Sequence, residues 1–248
     1  MRKAIVSGAN GFVGSAVVKE LISQGYEVYA LVRENHYDQV PINEMVRIVP
    51  FSLENIEALG EVIPINEYEA FYHFAWNGSA GVDRADTALQ LKNAQWTVEC
   101  LQMAKRLGCK RFVPAGSIME HEAIAAVYTQ GNRPGAGYIY GSGKVAAHMM
   151  CMSMAVKEDI NLVWPKITNA YGPGERSPRL VNSTIRKCIA GEDPQFTAGT
   201  QNYDFVYIDD IARAFRLIAE NGKSFHHYLI GSSHAKPLKE FLLEMKSV

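Results

Sequence analysis

The 248-residue sequence has no long hydrophobic segment and no excess of charge of either sign. None of its apolar runs approaches the roughly 18 residues that a membrane-spanning helix needs. Its 25 lysines and arginines are balanced by 26 aspartates and glutamates, which gives a formal net charge of -1 at pH 7. Because nucleic acids and anionic membranes are bound largely through basic surfaces, we expect neither as a partner.

Cysteine is also scarce and shows no motif. The four cysteines are scattered and form no C-x-x-C pair, so the sequence predicts free thiols, no disulfide framework and no metal site. Met-Arg-Lys leads directly into the first predicted strand, which leaves no room for a signal peptide. We therefore expect a cytoplasmic location.

What the sequence does contain is an alternation of short apolar runs with amphipathic segments. Such an alternation is typical of a parallel sheet with helices packed on both faces. The predicted strands cover residues 4–7, 27–32, 46–50, 70–74, 111–114, 161–167, 204–208 and 228–230, and the predicted helices cover 12–23, 83–107, 138–157 and 209–221.

Three glycines occupy the turn between the first strand and the first helix, in the stretch SGANGFVG. Gly8 allows a sharp turn, Gly11 allows a pyrophosphate to approach the backbone, and Gly14 allows the helix to lie close to the sheet. Phosphates would then meet free N–H groups at the positive end of the helix dipole. The alternative is a tight turn with no ligand, but the strand-to-helix context favours a dinucleotide site.

These patterns together predict an α/β fold with a doubly wound parallel sheet of the Rossmann type. The segment NAYGPGERSPR, which begins at Asn169, is rich in glycine and proline and is predicted to be a loop that carries part of the site. We predict a dinucleotide-binding domain over residues 1–168, to which 203–233 return. Residues 169–202 and 234–248 would form a small substrate-binding part.

The second predicted strand ends at Arg33, with no acidic residue before Glu34. An acidic residue at this place binds the adenosine ribose of NAD, whereas an arginine accommodates the 2′-phosphate of NADP. Because a guanidinium can bind a phosphate through two hydrogen bonds, the sequence favours NADP over NAD. A solvated surface arginine, with Glu34 on the ribose, is the alternative.

Tyr140 and Lys144 are four residues apart in a predicted helix, so their side chains share one face. A nearby ammonium favours the ionised form of a phenol, whose pKa is ordinarily near 10. Ser117 follows the fifth predicted strand and would face the same cleft, because ligands of open parallel sheets bind beyond the carboxyl ends of the strands. A Tyr-x-x-x-Lys spacing alone indicates a packed helix face, but the ordered set predicts a hydride-transfer site.

With these residues in this order, the sequence resembles the extended short-chain dehydrogenase/reductase family, in its branch of NAD(P)-dependent nucleotide-sugar epimerases, dehydratases and reductases. The resemblance extends from Lys3 to about Gly231. It rests on the glycine turn, on His73-Phe-Ala-Trp76, Asn93, the set Ser117, Tyr140 and Lys144, the loop Asn169-Ala-Tyr-Gly-Pro173, and Asp204-Phe-Val-Tyr-Ile-Asp-Asp-Ile211.

The resemblance implies a role for each matching residue. Tyr140 would be the general acid/base, Lys144 would lower its pKa and bind the nicotinamide ribose, and Ser117 would hydrogen-bond the reacting oxygen. The other implied cofactor contacts are Gly8, Asn10, Gly11, Phe12, Val13, Gly14, Ser52, Leu53, Phe74, Ala75, Trp76, Asn93 and Ile167.

Two segments, HFAWNGSAG and PAGSIMEHE, are similar to those of sugar-nucleotide 4-ketoreductases of the abequose-synthase kind. This similarity implies that the substrate is a nucleotide-linked 4-keto-6-deoxyhexose. The residues expected to contact it are Trp76, Asn77, Met119, Glu120, Asn169, Arg176 and Arg179.

The sequence also departs from the family pattern. Ser52 stands where an aspartate is usual, Lys166 where an arginine is common, and Tyr203 where an arginine commonly binds the substrate diphosphate. Arg176 and Arg179 are the expected substitutes for that arginine. Because the sequence ends at Val248, we also expect a reduced C-terminal region over the substrate.

Several alternatives remain open at this stage. The leading hypothesis is a sugar-nucleotide reductase, the second is a nucleotide-sugar 4-epimerase, and a non-catalytic dinucleotide-binding sensor or scaffold is a third of another class. His73 is expected to be a hydrogen-bonded core residue, and the run HMMCMSM from His148 to Met154 a core or dimer face rather than a metal site. The resemblance implies a homodimer through the predicted helices 83–107 and 138–157.

Overall fold

A computed structural model describes residues 1–246, so the last two residues of the predicted segment 234–248 lie outside the described residues. The chain folds around an eight-stranded sheet in which every strand pair is parallel. The strands are β1 (Arg2–Ser7), β2 (Tyr26–Val32), β3 (Val46–Pro50), β4 (Ala70–His73), β5 (Arg111–Pro114), β6 (Gly116–Ser117), β7 (Asn161–Ile167) and β11 (His226–Ile230). The strand order is β11-β7-β5-β4-β1-β2-β3, and the short β6 also pairs with β7.

Helices cover both faces of this sheet. Alternate residues of a strand point to opposite faces, so Ile5 packs in a core with Cys100 and Cys151, whereas Val6 packs with Val17 and Phe215 on the other side. The helices are α1 (Phe12–Ser23), α2 (Leu59–Val62), α3 (Thr87–Arg106), α4 (Met119–Tyr128), α5 (Ile139–Lys157), α6 (Leu180–Ile189), α7 (Ile208–Asn221) and α8 (Leu238–Lys246), with 3₁₀ helices at Leu53–Ala58, Val82–Ala85 and Ala136–Tyr138. The predicted doubly wound parallel sheet is confirmed.

Four short strands lie outside the central sheet and form two separate pairs. β8 (Asn169–Tyr171) pairs in parallel with β10 (Phe205–Tyr207), and β9 (Asn202–Tyr203) pairs with β12 (Lys236–Pro237) in antiparallel. β8, β12, α6 and the described part of α8 lie in the segments 169–202 and 234–248 that were predicted to bind the substrate, whereas β10 belongs to the segment 203–233 that was predicted to return to the dinucleotide-binding domain. The division into a cofactor-binding and a substrate-binding part stays a prediction.

Two predicted elements have different limits in the structure. The predicted helix 83–107 begins only at Thr87, because the Asp86 side chain accepts a hydrogen bond from the N–H of Leu89 at 3.0 Å and caps α3. The predicted strand 204–208 is shorter, because Ile208 already belongs to α7. β10 also pairs with β8 instead of extending the central sheet.

Four α-helices, α2, α4, α6 and α8, were not predicted from the sequence. The N-cap residues of α4 and α6 are Ile118 and Arg179, neither of which provides a side-chain cap, so the usual signal for a helix start is missing. α8 follows directly on the two-residue strand β12.

The composition predicted free cysteines and no membrane-spanning helix. All four cysteines are free thiols; Cys100, Cys109 and Cys151 are buried and Cys188 is exposed. Within residues 1–246, no helix combines the length and the hydrophobicity needed to cross a bilayer.

Candidate active site

A cleft of about 1200 Å³ opens along the carboxyl ends of the central strands. It lies where the chain order of the sheet reverses, between β1 and β4, which is the usual place for a ligand in an open parallel sheet. Its walls include most of the predicted site residues, namely Gly8, Asn10, Gly11, Phe12, Val13, Gly14, Arg33, Ser52, Leu53, Phe74, Ala75, Trp76, Asn77, Ser117, Met119, Tyr140, Lys144, Ile167, Asn169 and Arg179.

The glycine turn forms one end of the cleft. Gly8 has a φ of +67°, and a Cβ there would lie 2.7 Å from the backbone nitrogen of Ala75. A Cβ on Gly14 would lie 2.2 Å from the carbonyl oxygen of Gly8, so both glycines are required by the turn itself. Gly11 caps α1 without a side-chain hydrogen bond, which leaves first-turn N–H groups available for an anion.

The end of the cleft that was predicted to hold the adenine is lined by exposed residues that follow β2 and β3. Arg33 and His36 are exposed, and Ser52 hydrogen-bonds to Glu54. Asn10 connects this end to the glycine turn, because its side-chain oxygen accepts a hydrogen bond from the N–H of Gln39 at 2.7 Å. The guanidinium of Arg33 and the carboxylate of Glu54 both line this end of the cleft.

Ser117, Tyr140 and Lys144 come together in the middle of the cleft. The buried Lys144 ammonium donates a hydrogen bond to the carbonyl oxygen of Ala115 at 2.9 Å and lies 5.9 Å from the centroid of the Tyr140 ring. The Ser117 hydroxyl accepts a hydrogen bond from the N–H of Met119 at 3.2 Å. Tyr140 and Lys144, which the sequence placed on one helix face, and Ser117, which it placed at the end of a strand, therefore line a single cleft.

Burial dominates the acidity of both groups on α5. Burial raises the pKa of Tyr140, while the positive charges of Arg179 and Arg84 and a hydrogen bond with Ser117 lower it. Burial lowers the pKa of Lys144 to about 7, against the opposing effect of the Glu120 carboxylate. Tyr140 thus favours its protonated form, and the lowering of its pKa by Lys144 stays a prediction.

Three predicted site residues do not line the cleft. Asn93 is buried and positions Asn77, since its side chain accepts from the Asn77 N–H at 2.9 Å and donates to its carbonyl at 2.8 Å. Arg176 forms an ion pair with Asp38 at 2.5 Å. The Glu120 carboxylate is buried behind Ser117 and accepts a hydrogen bond from its backbone N–H at 2.9 Å, facing away from the cleft.

Two cleft residues were missed by sequence reasoning. The Arg84 guanidinium stacks over the Tyr140 ring, 4.4 Å from its centroid. Arg84 sits in a 3₁₀ turn that the sequence assigned to a continuous helix, so no local signal marked it. The buried hydroxyl of Thr168 also lines the cleft and has no hydrogen-bond partner within residues 1–246.

The histidines need no metal to explain them. His73 is buried, with Nδ1 2.8 Å from the Ser7 hydroxyl and Nε2 3.4 Å from the Thr97 hydroxyl, and burial lowers its pKa to about 3. The prediction of a hydrogen-bonded core histidine is confirmed. The His148 ring stacks on Trp164 at 4.3 Å. Within residues 1–246, no cluster of three or more His, Cys, Asp or Glu side chains could hold a metal ion.

The sequence between residues 4 and 231 matches the family described as NAD dependent epimerase/dehydratase. This match covers most of the chain and includes both the glycine turn and the Tyr140 helix. The chain belongs to the NAD dependent epimerase/dehydratase family. The predicted family is confirmed, and with it the prediction that the chain is an enzyme of an NAD-dependent family.

Individual members of the NAD dependent epimerase/dehydratase family are distant in sequence. CDP-abequose synthase of Salmonella muenchen is 25% identical over 252 residues, covering 96% of this chain and 78% of that protein. The dTDP-6-deoxy-L-talose 4-dehydrogenase (NAD(+)) of Aggregatibacter actinomycetemcomitans is 26% identical over 217 residues, which cover 84% of this chain and 76% of that protein.

A solved structure shares the fold. UDP-N-acetylglucosamine 4-epimerase from Methanobrevibacter ruminantium M1, in complex with UDP-N-acetylmuramic acid, aligns with a TM-score of 0.83 over 99% of this chain and 81% of that chain. At 18% identity the alignment supports the fold alone.

Proposed function

We propose that this chain is an NAD(P)-dependent sugar-nucleotide oxidoreductase that reduces a keto group of the sugar. The observation that carries the proposal is the shared cleft, in which Ser117, Tyr140 and Lys144 face the glycine turn of α1. The similarity to CDP-abequose synthase and to a dTDP-sugar 4-dehydrogenase supports a nucleotide-linked 4-keto-6-deoxyhexose as substrate.

The cleft fits a nicotinamide dinucleotide. Gly8 and Gly14 bring backbone close to the start of α1, and Gly11 leaves that helix end free for a pyrophosphate. Beyond it, the cleft continues past Phe74 and Ala75 to Lys144. When bound, the reduced nicotinamide supplies the hydride for the sugar carbonyl carbon.

The chain's own residues would handle the proton and the oxygen. Ser117 hydrogen-bonds the carbonyl oxygen, and Tyr140 donates its phenolic proton to that oxygen as the carbon is reduced. Lys144 would bind the nicotinamide ribose and stabilise the tyrosinate that remains until solvent returns a proton. The result is an alcohol on the sugar and an enzyme with Tyr140 again protonated.

The acidity of Tyr140 supports reduction rather than epimerisation. Burial raises the pKa of Tyr140, so the hydroxyl carries its proton at neutral pH and is ready to act as an acid. An epimerase must first remove a proton from a sugar hydroxyl, for which an ionised Tyr140 is the better starting form. A 4-epimerase is the second candidate function.

Two finer properties belong to the proposal. Arg33 at the adenine end would bind a 2′-phosphate and favour NADP, although one similar protein is named for NAD(+). Leu91 on α3 and Met149 and Met150 on α5 are exposed apolar side chains, which supports the homodimer expected through these two helices.

The test is turnover by the purified protein and by Tyr140→Phe. With NADPH or NADH and a panel of nucleotide-linked ketosugars, the wild type should consume reduced cofactor, and Tyr140→Phe should lose that activity while binding cofactor. Tyr128→Phe, an exposed tyrosine outside the cleft, is the matched control.

The outcomes separate the candidate functions. Interconversion of sugars without net loss of NADPH or NADH would identify the epimerase. Cofactor binding without change in any sugar would favour the non-catalytic sensor. Turnover by Tyr140→Phe at the wild-type rate would contradict the proposed mechanism.

A further inference from the structure

A buried carboxylate lies directly behind the catalytic serine, on the side away from the cleft. Glu120 belongs to the first turn of α4, and its side chain is 1% exposed. One carboxylate oxygen accepts hydrogen bonds from the Ser117 N–H at 2.9 Å and from the Trp164 indole N–H at 3.0 Å. The other lies 2.9 Å from His148 Nδ1 and 3.2 Å from Lys166 Nζ.

This carboxylate connects the strand that carries Ser117 to two other elements. Trp164 and Lys166 belong to β7, which pairs with β6, and His148 belongs to α5, the helix of Tyr140 and Lys144. Glu120 therefore fixes β6 relative to the helix that bears the proton donor.

The backbone next to Ser117 is shaped around this contact. A Cβ at Gly116 would lie 2.6 Å from the Glu120 carboxylate and 2.5 Å from the Trp164 indole nitrogen. A side chain at that position would push the carboxylate away from the Ser117 N–H. The glycine is thus needed for the contact, which indicates that the contact is built into this turn.

The charges around Glu120 keep it an acceptor. Hydrogen bonds from His148, Trp164 and Ser117, together with the Lys166 charge, outweigh burial and lower its pKa. Lys166 is itself buried and also lies 3.4 Å from His121 Nε2, and the His227 ring lies beyond, 6.4 Å from His121. The carboxylate is ionised and all its contacts come from donors.

We propose that Glu120 is a positioning residue, which holds the Ser117 hydroxyl in register with Tyr140 by accepting the Ser117 backbone N–H. This inference rests on the proposed function, in which Ser117 and Tyr140 act on the same substrate oxygen. Ser117 is otherwise held by its pairing with Ile167, by the Met119 N–H on its hydroxyl and by its side-chain hydrogen bond with Tyr140.

Two double variants separate positioning from charge balance. Glu120→Gln with Lys166→Met and Glu120→Met with Lys166→Met both remove the buried charges, but only the glutamine keeps an oxygen for the Ser117 N–H. We expect kcat of the methionine pair to be about 10- to 100-fold below that of the glutamine pair. The KM for the sugar and the Kd for the cofactor should agree within about twofold.

A Ser117→Ala background provides the readout that a purely structural role would not move. If Glu120 acts through the serine, the two double variants should have equal kcat once the hydroxyl is removed. Equal kcat with Ser117 present, or an undiminished difference in Ser117→Ala, would overturn the proposal. Should the methionine pair fail to fold, Glu120→Asp retains the negative charge beside Lys166 while withdrawing the oxygen from the Ser117 N–H by about 1.5 Å, and it should show the same loss of kcat.

Crystal structures of the two double variants test the inference without turnover. If the wild type acts on no ketosugar, the proposed function fails, but the position of Ser117 can still be measured. A shift of its hydroxyl away from Tyr140 in the methionine pair alone would support positioning by Glu120. An unmoved serine in both would refute it.

Discussion

The Nζ atom of Lys144 lies 3.5 Å from the centroid of the Trp76 indole ring, inside the protein. Its one hydrogen bond shown in the structure goes to the Ala115 carbonyl. Because the ring face is electron-rich, Trp76 stabilises the ammonium where water is excluded. Trp76 is in turn held by its indole N–H, which donates to the Gln90 side-chain oxygen at 2.8 Å.

Replacing Trp76 should therefore make Lys144 more acidic. Loss of a desolvated cation–π contact is worth about 1–2 kcal/mol, or roughly one pKa unit. Trp76→Leu should lower the pKa of Lys144 below its value of about 7, and cofactor binding should weaken at a correspondingly lower pH. The measurement is the cofactor Kd of the wild type and of Trp76→Leu at a series of pH values between about 5.5 and 9.

Trp76→Phe is the matched control for this prediction, since it keeps an aromatic face. Its shift should be smaller than that of Trp76→Leu. Identical pH dependence in all three proteins would show that the ring does not stabilise the ammonium.

Burial of the Lys144 ammonium should also destabilise the folded protein at neutral pH, relative to a variant that has no charge at this position. Its pKa falls from 10.5 in the unfolded chain to about 7 in the folded one, so between these values the unfolded state binds the extra proton. Stability from this group rises with pH through that window, and the penalty is fully present below pH 7. Lys144→Met should be inactive yet more stable at pH 6 by a few kcal/mol, at about 1.4 kcal/mol per pKa unit.

Urea unfolding at several pH values checks this prediction. The stability gain of Lys144→Met should shrink as pH rises from 7 toward 10.5. Lys92→Met, which removes an exposed lysine, should show no such trend. A gain that is constant with pH would mean that the burial of charge is not its cause.

Much of the cleft could be predicted because its residues are encoded by local spacing. The glycine turn needs only seven consecutive residues, and Tyr140 and Lys144 are one helical turn apart. These local patterns predicted the main residues of the cleft, whereas the parallel sheet was predicted from the alternation of apolar runs with amphipathic segments.

The site residues that the structure places elsewhere, and Arg84, which was not predicted, depend on contacts between residues that are far apart in the sequence. Arg176 pairs with Asp38, which no sequence pattern connects to it. Glu120 was expected in the sugar pocket because the segment PAGSIMEHE is similar to one in sugar-nucleotide 4-ketoreductases, whereas the first turn of α4 directs it behind Ser117. Arg84 meets Tyr140 only through tertiary packing.

The glycine turn provides a prediction about stability. A Cβ on Gly14 would lie 2.2 Å from the Gly8 carbonyl oxygen, and backbone cannot move as easily as a side chain. Gly14→Ala should therefore destabilise the protein by about 1–3 kcal/mol or more and lower Tm by at least about 3 °C. Differential scanning calorimetry provides the measurement, and cofactor affinity should fall with it.

Gly60→Ala is the control for Gly14→Ala. Gly60 lies in α2 with nothing within 4 Å of a Cβ, so alanine there should be neutral or slightly stabilising. An unchanged Tm in Gly14→Ala would contradict the inference that α1 packs too closely on the Gly8 carbonyl to admit a Cβ at Gly14.

The last prediction concerns the charge beside Tyr140, the proposed proton donor. Arg84 stacks on the Tyr140 ring, and its charge is among the influences that lower the pKa of Tyr140 against burial. Removing it with Arg84→Gln should raise that pKa, by less than about one unit if the contact is worth 0.5–1 kcal/mol. Because a reductase uses the protonated phenol, the loss of activity at high pH should move to higher pH in Arg84→Gln.

The pH profile of kcat/KM distinguishes this electrostatic effect from a loss of substrate contacts. Arg84→Lys keeps the charge and should leave the alkaline limb closer to wild type, while Arg133→Gln, an exposed arginine outside the cleft, should not move it. A uniform fall of kcat/KM at every pH would instead assign Arg84 to substrate binding. A shift of the limb to lower pH would contradict the prediction, since it would mean that Arg84 disfavours the ionised phenol.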